Sequence, residues 1–199
     1  FNMLEEVYKK VPDKENIEFV DKVLELLNVA VEFNDKQLNR IPEKGQITVV
    51  ANHLMGGIVR LLLIKYLGKI RSDIRIFGNP ILQKVDPLAK YFITQKPKLS
   101  LIPGKKTSVL PEELKKHLEN GGMLCLFPSG SESILHPFYG FTDKVWQLPV
   151  VEFIKKSEVP VLPVFFQGKP GKMAAILMKM NRVLNGFQPA KKKLSMKVR

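Results

Sequence analysis

Ile47-Thr48-Val49-Val50-Ala51-Asn52-His53-Leu54-Met55-Gly56-Gly57 is the stretch whose reading decides the fold. An almost wholly apolar run, Ile47 to Ala51, stops at Asn52-His53. Gly56-Gly57 follow, and then an apolar run of helical character from Ile58 to Leu67. This pattern predicts a buried strand that delivers a histidine to its end, a tight turn, and a helix. In an open α/β sheet, ligand sites lie beyond the carboxyl ends of the strands. One thing expected beside a catalytic histidine is missing here: no acidic residue occurs between Glu43 and Asp73.

The rest of the 199-residue chain repeats the strand-then-helix alternation. Helical spacing of Ile17, Val20, Val23, Leu24, Leu27 and Val31 predicts helix over 1–34, broken near Pro12-Asp13. Gln46 to Ala51, Ile74 to Phe77, Leu99 to Pro103, Met123 to Phe127 and Val159 to Phe166 read as strands, with a last one at Leu194 to Val198. Pro160 and Pro163 place the 159–166 run at a strand start or a sheet edge. Helices are expected over 81–93, over 108–118 with Pro111 in the first turn, from Thr142 or Asp143 through Ser157 with Pro149 as a bend, and over 173–184. A loop is expected around His136-Pro137 and over 168–171. The fold class is therefore α/β: one domain over 1–199, with a mostly parallel or mixed sheet flanked by helices. It comprises a helical lead-in over 1–34 and an α/β core over 46–199.

Composition narrows the function. Lys and Arg number 32 against 19 Asp and Glu, a formal charge of +13, which favours an anionic partner. The basic residues lack the aromatic interleaving of a single-strand binding surface, so no specific nucleic-acid partner is expected. Cys125, the single cysteine, lies in an apolar run, excludes an internal disulfide and points to a reducing compartment. No apolar stretch approaches the roughly 18–20 residues that span a bilayer, so membrane contact is expected to be peripheral. The sequence opens on Phe1 and is read as a trimmed chain, from which targeting is not judged.

Three histidines are present. His117 sits among charged residues on an expected helix and reads as solvated, and His136 precedes a proline in a loop. Only His53 ends a core strand. Neither Ser129 nor Ser131 has the flanking glycines of a nucleophile elbow, and no phosphate-cradling Gly-Lys-Ser/Thr loop occurs. The histidines and lone cysteine have no zinc spacing, so no metal and no cofactor are expected.

Four blocks then fall in order: Asn52-His53 with Gly56-Gly57, Ile102-Pro103-Gly104-Lys105-Lys106, Phe127-Pro128-Ser129-Gly130, and Val159-Pro160-Val161-Leu162-Pro163-Val164, the last continuing as Phe165-Phe166-Gln167-Gly168. Together they resemble the lysophospholipid (glycerolphosphate) acyltransferase superfamily, and most of all its hemolysin-like branch, whose members include aminolipid O-acyltransferases. There the first block reads roughly Asn-His-Pro-x-Gly-Gly-x-Asp, and the third is followed by a tryptophan, matched here by Trp146.

The resemblance implies transfer of a fatty acyl group from acyl carrier protein or coenzyme A to the hydroxyl of a lysophospholipid or lyso-aminolipid. His53 would act as general base. Gly56, Gly57 and Gly130 would supply backbone N–H groups to the oxyanion. Lys105, Lys106, Ser129, Ser131 and Glu132 would bind the acceptor. The partners implied are the thioester donor, the lipid acceptor and an anionic membrane surface, with the protein peripheral to the cytoplasmic face. The acid of the pattern falls on Ile58 in the wider superfamily and on Val59 in the branch. Either the enzyme is slow or inactive and binds acyl or lipid ligands without turnover, or another acid such as Glu132 or Asp86 reaches His53, or a backbone carbonyl orients the ring. If the site is otherwise intact, Val59→Asp is expected to raise activity. Ser129 and Ser131 also fit a plain ST-turn. Met173, Ile176, Leu177, Met180 and Leu184 form an apolar stripe that reads as core or as a docking face flanked by lysines.

Overall fold

A computed structural model of the protein describes residues 16–54, 56–78, 80–94, 110–136, 140–169 and 192–198. The sheet is built outward from β2 (Ile47–Ala51), every residue of which is buried. Its neighbours are β5 (Met123–Leu126) and β8 (Val161–Lys169), both parallel to it. Beyond β5 lie β3 (Ile74–Gly78) and β4 (Phe92–Thr94), also parallel. Beyond β8 lie β9 (Lys192–Val198), antiparallel to β8, and then β1 (Val29–Phe33). The order is β1-β9-β8-β2-β5-β3-β4, a mixed, mostly parallel seven-stranded sheet in a single α/β domain. A separate hairpin pairs β6 (Ile134–His136) with β7 (Gly140–Thr142).

Both faces of the sheet are covered, which is why its central strands read as continuous apolar runs. Alternation along β5 sends Met123, Cys125 and Phe127 into one core and Leu124 and Leu126 into the other. The first core is closed by α1 (Asn16–Leu26), through Phe19, Val20, Val23 and Leu24, and by α2 (Gly57–Leu67). The second is closed by α4 (Glu112–Glu119), through Leu114 and Leu118, and by α5 (Leu148–Ser157), through Val150. A four-residue α3 (Asp86–Ala89) precedes β4.

Several sequence expectations are corrected. The helix expected to 34 ends at Leu26, and Asn28 takes a left-handed φ of 51°. Val29, Val31 and Phe33 then extend as an edge strand, so part of the helical lead-in belongs to the sheet. The helix expected over 81–93 is a 3-10 turn at Pro80–Lys84, then α3, and Phe92 and Ile93 enter β4. Pro87 sits in the first turn of α3, where its missing N–H is harmless. The helix expected from 142 or 143 starts only at Leu148, with Pro149 in its first turn. Strand β8 starts directly after Pro160, as one of the two alternatives had it, but it is interior and not an edge, and it runs into the loop expected over 168–171. Its proline is tolerated because the described β9 pairing begins at Val164, so Pro163 pairs on the β2 side alone. The loop expected at His136 is the β6–β7 hairpin. His117 is half-buried, its Nε2 lies 3.1 Å from the Met123 carbonyl, and a Cβ on Gly122 would strike its ring. Residues 99–109 and 173–184 lie outside the described residues.

Candidate functional site

His53 continues the phase of Ile47, Val49 and Ala51 one step past the end of β2. Phe127 does the same past β5. Because the two strands are adjacent and in register, the rings meet, with centroids 4.8 Å apart. Asn52 ties this end of β2 to β8: its amide donates to the Phe166 carbonyl at 2.8 Å and accepts from the Phe166 N–H at 2.7 Å. The His53 carbonyl accepts the Ser133 N–H at 3.0 Å. Three of the four sequence blocks are thus brought together at the carboxyl ends of β2, β5 and β8. The second, with Lys105 and Lys106, lies outside the described residues.

The turn into α2 depends on Gly56. It has a φ of 56°, which favours glycine, and a Cβ there would collide with the Glu132 carboxylate. The N-cap of α2 is Gly56, so no side-chain cap hydrogen bond forms at this helix start. Gly56 and Gly57 are at this helix start. The Gly130 N–H is committed to the Phe127 carbonyl at 2.9 Å, closing a turn. Ser129 Oγ donates to the Ser131 carbonyl at 2.9 Å, a local bond of the opposite sense to an ST-turn, in which the hydroxyl would accept a backbone N–H.

A residue the sequence reading missed as part of the site is Asp143. Its carboxylate accepts the His53 backbone N–H at 3.1 and 3.3 Å and the Ser133 hydroxyl. It fixes the main chain of His53 and leaves the ring alone. Both imidazole nitrogens are buried without a hydrogen-bond partner, and the residue is 4% exposed. Its pKa is lowered to about 4, first by burial and then by the charge of Arg60. The Ser131 backbone and Asp143 oppose this. The Ser131 group favours the charged ring by its proximity but does not complete a hydrogen bond with it.

Arg60 is the other residue that sequence reading did not place in the site. It lies on the first turns of α2, with its guanidinium carbon 5.2 Å from the Phe127 ring centroid and its Nε buried and unpartnered. Burial depresses its pKa, and the nearby Glu132 works against that. Where the family pattern carries a carboxylate, this helix turns a cation toward the imidazole. Val59 and Ile58 face the apolar core instead. Val59 is fully buried against the apolar core, so the carboxylate of Val59→Asp would meet a burial cost there. Glu132 reaches the α2 start rather than the ring, and Asp86 lies at the start of α3. Among the described residues no group of three or more His, Cys, Asp or Glu is placed to hold a metal ion.

No family model matches the chain. It is 27% identical over 166 residues to the lyso-glycine lipid O-acyltransferase of Phocaeicola vulgatus, a match that covers 81% of this chain and 55% of that relative. The chain is related to a lipid O-acyltransferase. It spans only about half the length of this curated relative.

Proposed function

We propose that the protein moves a fatty acyl group from an acyl carrier protein or coenzyme A thioester to the hydroxyl of a lysophospholipid or lyso-aminolipid, with His53 as general base. The observation that carries the reading is a buried, neutral imidazole with two free nitrogens at the end of β2, beside an uncapped helix start. The relative named for a lyso-glycine lipid supports the acceptor class.

His53 takes the proton of the acceptor hydroxyl as its oxygen attacks the thioester carbonyl carbon. The negative oxygen of the tetrahedral intermediate meets N–H groups of Gly56 and Gly57. Collapse breaks the carbon–sulfur bond, and the imidazolium returns its proton to the thiolate. A base whose conjugate acid titrates near 4 is unprotonated at neutral pH but weak. Among the described residues no carboxylate hydrogen-bonds the ring, and Asp143 favours its charged form only through space, so turnover is expected to be slow. Lys105 and Lys106 remain the proposed holders of the acceptor's anionic group.

One observation favours a second reading: among the described residues, no carboxylate reaches the His53 ring. On that reading the protein is catalytically impaired and binds acyl or lipid ligands without turnover. Labelled acyl carrier protein and acyl-coenzyme A, offered with lysophospholipids and lyso-aminolipids, separate the two. Labelled diacyl product is expected, and His53→Ala is expected to lower its rate by about 10²–10⁴. Product that survives His53→Ala removes the role given to that residue, and binding without product establishes the second reading.

A further inference from the structure

The chain between Asp143 and Gln147 passes beside His53 and Pro128 with both ends pinned. At one end Asp143 holds the His53 N–H. At the other the Gln147 N–H donates to the Pro128 carbonyl at 2.8 Å, and its side chain packs on Gly130, where a Cβ would strike it. The three residues between belong to no helix or strand. Val145 is 92% exposed and Trp146 49%, and Leu148, just past Gln147, is 67% exposed. Ile134, 51% exposed, pairs with Thr142 next to Asp143. Four large apolar side chains thus stand in water within a few residues of the groups that hold His53. Exposed apolar patches of this kind mark contact surfaces.

We infer that this patch, Ile134 with Val145, Trp146 and Leu148, is where the protein seats itself on a lipid surface bearing anionic headgroups. The inference rests on the reading above only for the lipid nature of the substrate. Three features select a membrane over a second protein. The patch carries the tryptophan, the side chain that settles at the boundary of headgroup and hydrocarbon. Lys144 adjoins it, in a chain with 32 basic residues against 19 acidic. And the patch borders the site itself, so an acceptor still in the bilayer would reach His53 without leaving the lipid. Among the described residues no helix is long and apolar enough to cross a membrane, so such a patch would hold the protein by shallow insertion.

Trp146 is the single tryptophan of the chain, so its fluorescence reports on this patch alone. Vesicles of phosphatidylcholine, with and without phosphatidylglycerol, are added to the full chain. The expected result is a blue shift of Trp146 emission and its quenching by brominated acyl chains, stronger when phosphatidylglycerol is present. Val145→Asp with Leu148→Asp, both at exposed positions and both sparing the reporter, should weaken vesicle binding by about tenfold or more. In that variant, acyl transfer on vesicles should fall while transfer to a detergent-dispersed acceptor stays. Three outcomes overturn the inference: no vesicle binding, co-sedimentation with unmoved Trp146 emission, or a blue shift that follows protein concentration without lipid, which marks a second copy. Insertion without any acyl transfer removes the activity proposed above and leaves the docking surface. Acyl transfer with unmoved emission does the reverse.

Discussion

The two ends of the sheet each hold an arginine, one buried and one half-buried, and they treat it in opposite ways. Arg71 lies at the amino ends of β2, β3 and β5, 4% exposed. Its five donors find five acceptors. Nε and Nη2 grip the Asp73 carboxylate at 2.9 and 2.6 Å. Nη1 reaches the carbonyls of Pro42 at 3.3 Å and Gly45 at 2.7 Å, and Nη2 that of Gly121 at 2.7 Å. Three loops that start three strands are stitched by one side chain. At the carboxyl ends, Arg60 keeps a buried Nε with no partner, and His53 beside it keeps two. A buried cation that is fully bonded holds a fold together, whereas a buried donor left without a partner is a cost that a ligand or a function would explain.

The comparison breaks first at Val59→Asp. If the site tolerated a carboxylate there, activity would rise. Burial of Val59 in the apolar core opposes that, with a loss of stability of about 4 kcal/mol expected where no cation meets the new carboxylate. Chemical denaturation measures it, and a stable, more active variant would show that the carboxylate finds a partner such as the His53 ring.

Arg71→Met should cost about 3 kcal/mol by orphaning three carbonyls, roughly 6–12 °C in melting temperature for a chain of this size. Arg60→Met, the matched change at the other end, should leave the melting temperature unchanged or raise it slightly. Equal losses in calorimetry would erase the distinction between the two ends.

Acid should act on the two ends in different windows. His53 binds its proton less readily folded than unfolded, with a pKa of about 4 against 6.5. The unfolded chain takes up that proton first, so stability falls as pH drops from about 6.5 to about 4, by a total of about 3 kcal/mol. His53→Gln should flatten that slope. The Asp73 carboxyl is held below its ordinary range, chiefly by its hydrogen bonds from Arg71. Its contribution is therefore intact through that window and is lost only at more acid pH. Denaturation midpoints across pH 3–8, for both proteins, test the order.

The smallest effect concerns the pair itself. Arg60→Gln removes the positive neighbour and should raise the His53 pKa, with burial still holding it below the usual value. Nuclear magnetic resonance of the imidazole reads this directly. An unmoved pKa would mean that Arg60 does not face the ring.

Much of the fold was legible. The run Ile47 to Ala51, the Met123 to Leu126 run between Asn120-Gly121-Gly122 and Pro128, and the Gly56-Gly57 break all carry strong local signals, because a doubly covered strand must be apolar at every position. What misled were short segments. Val31 fits both a helical stripe and a β-branched strand, and only pairing with β9 decides it. Asp143 looks like a helix cap by its spacing, yet its partner is a main-chain N–H 90 residues away.

By itself the sequence determined that a histidine ends a core strand before a glycine turn and that no acid follows it for a whole helix. It also set the order of the blocks that converge there. Only the tertiary structure decided what surrounds the ring. The phase of α2 buried Val59 and turned Arg60 toward Phe127, and a contact spanning 114 residues locked Asn52 onto β8. The physical reason is that periodicity records which positions avoid water, while the partner of a polar group is chosen by strand register and helix rotation, and these are fixed only when the whole sheet closes.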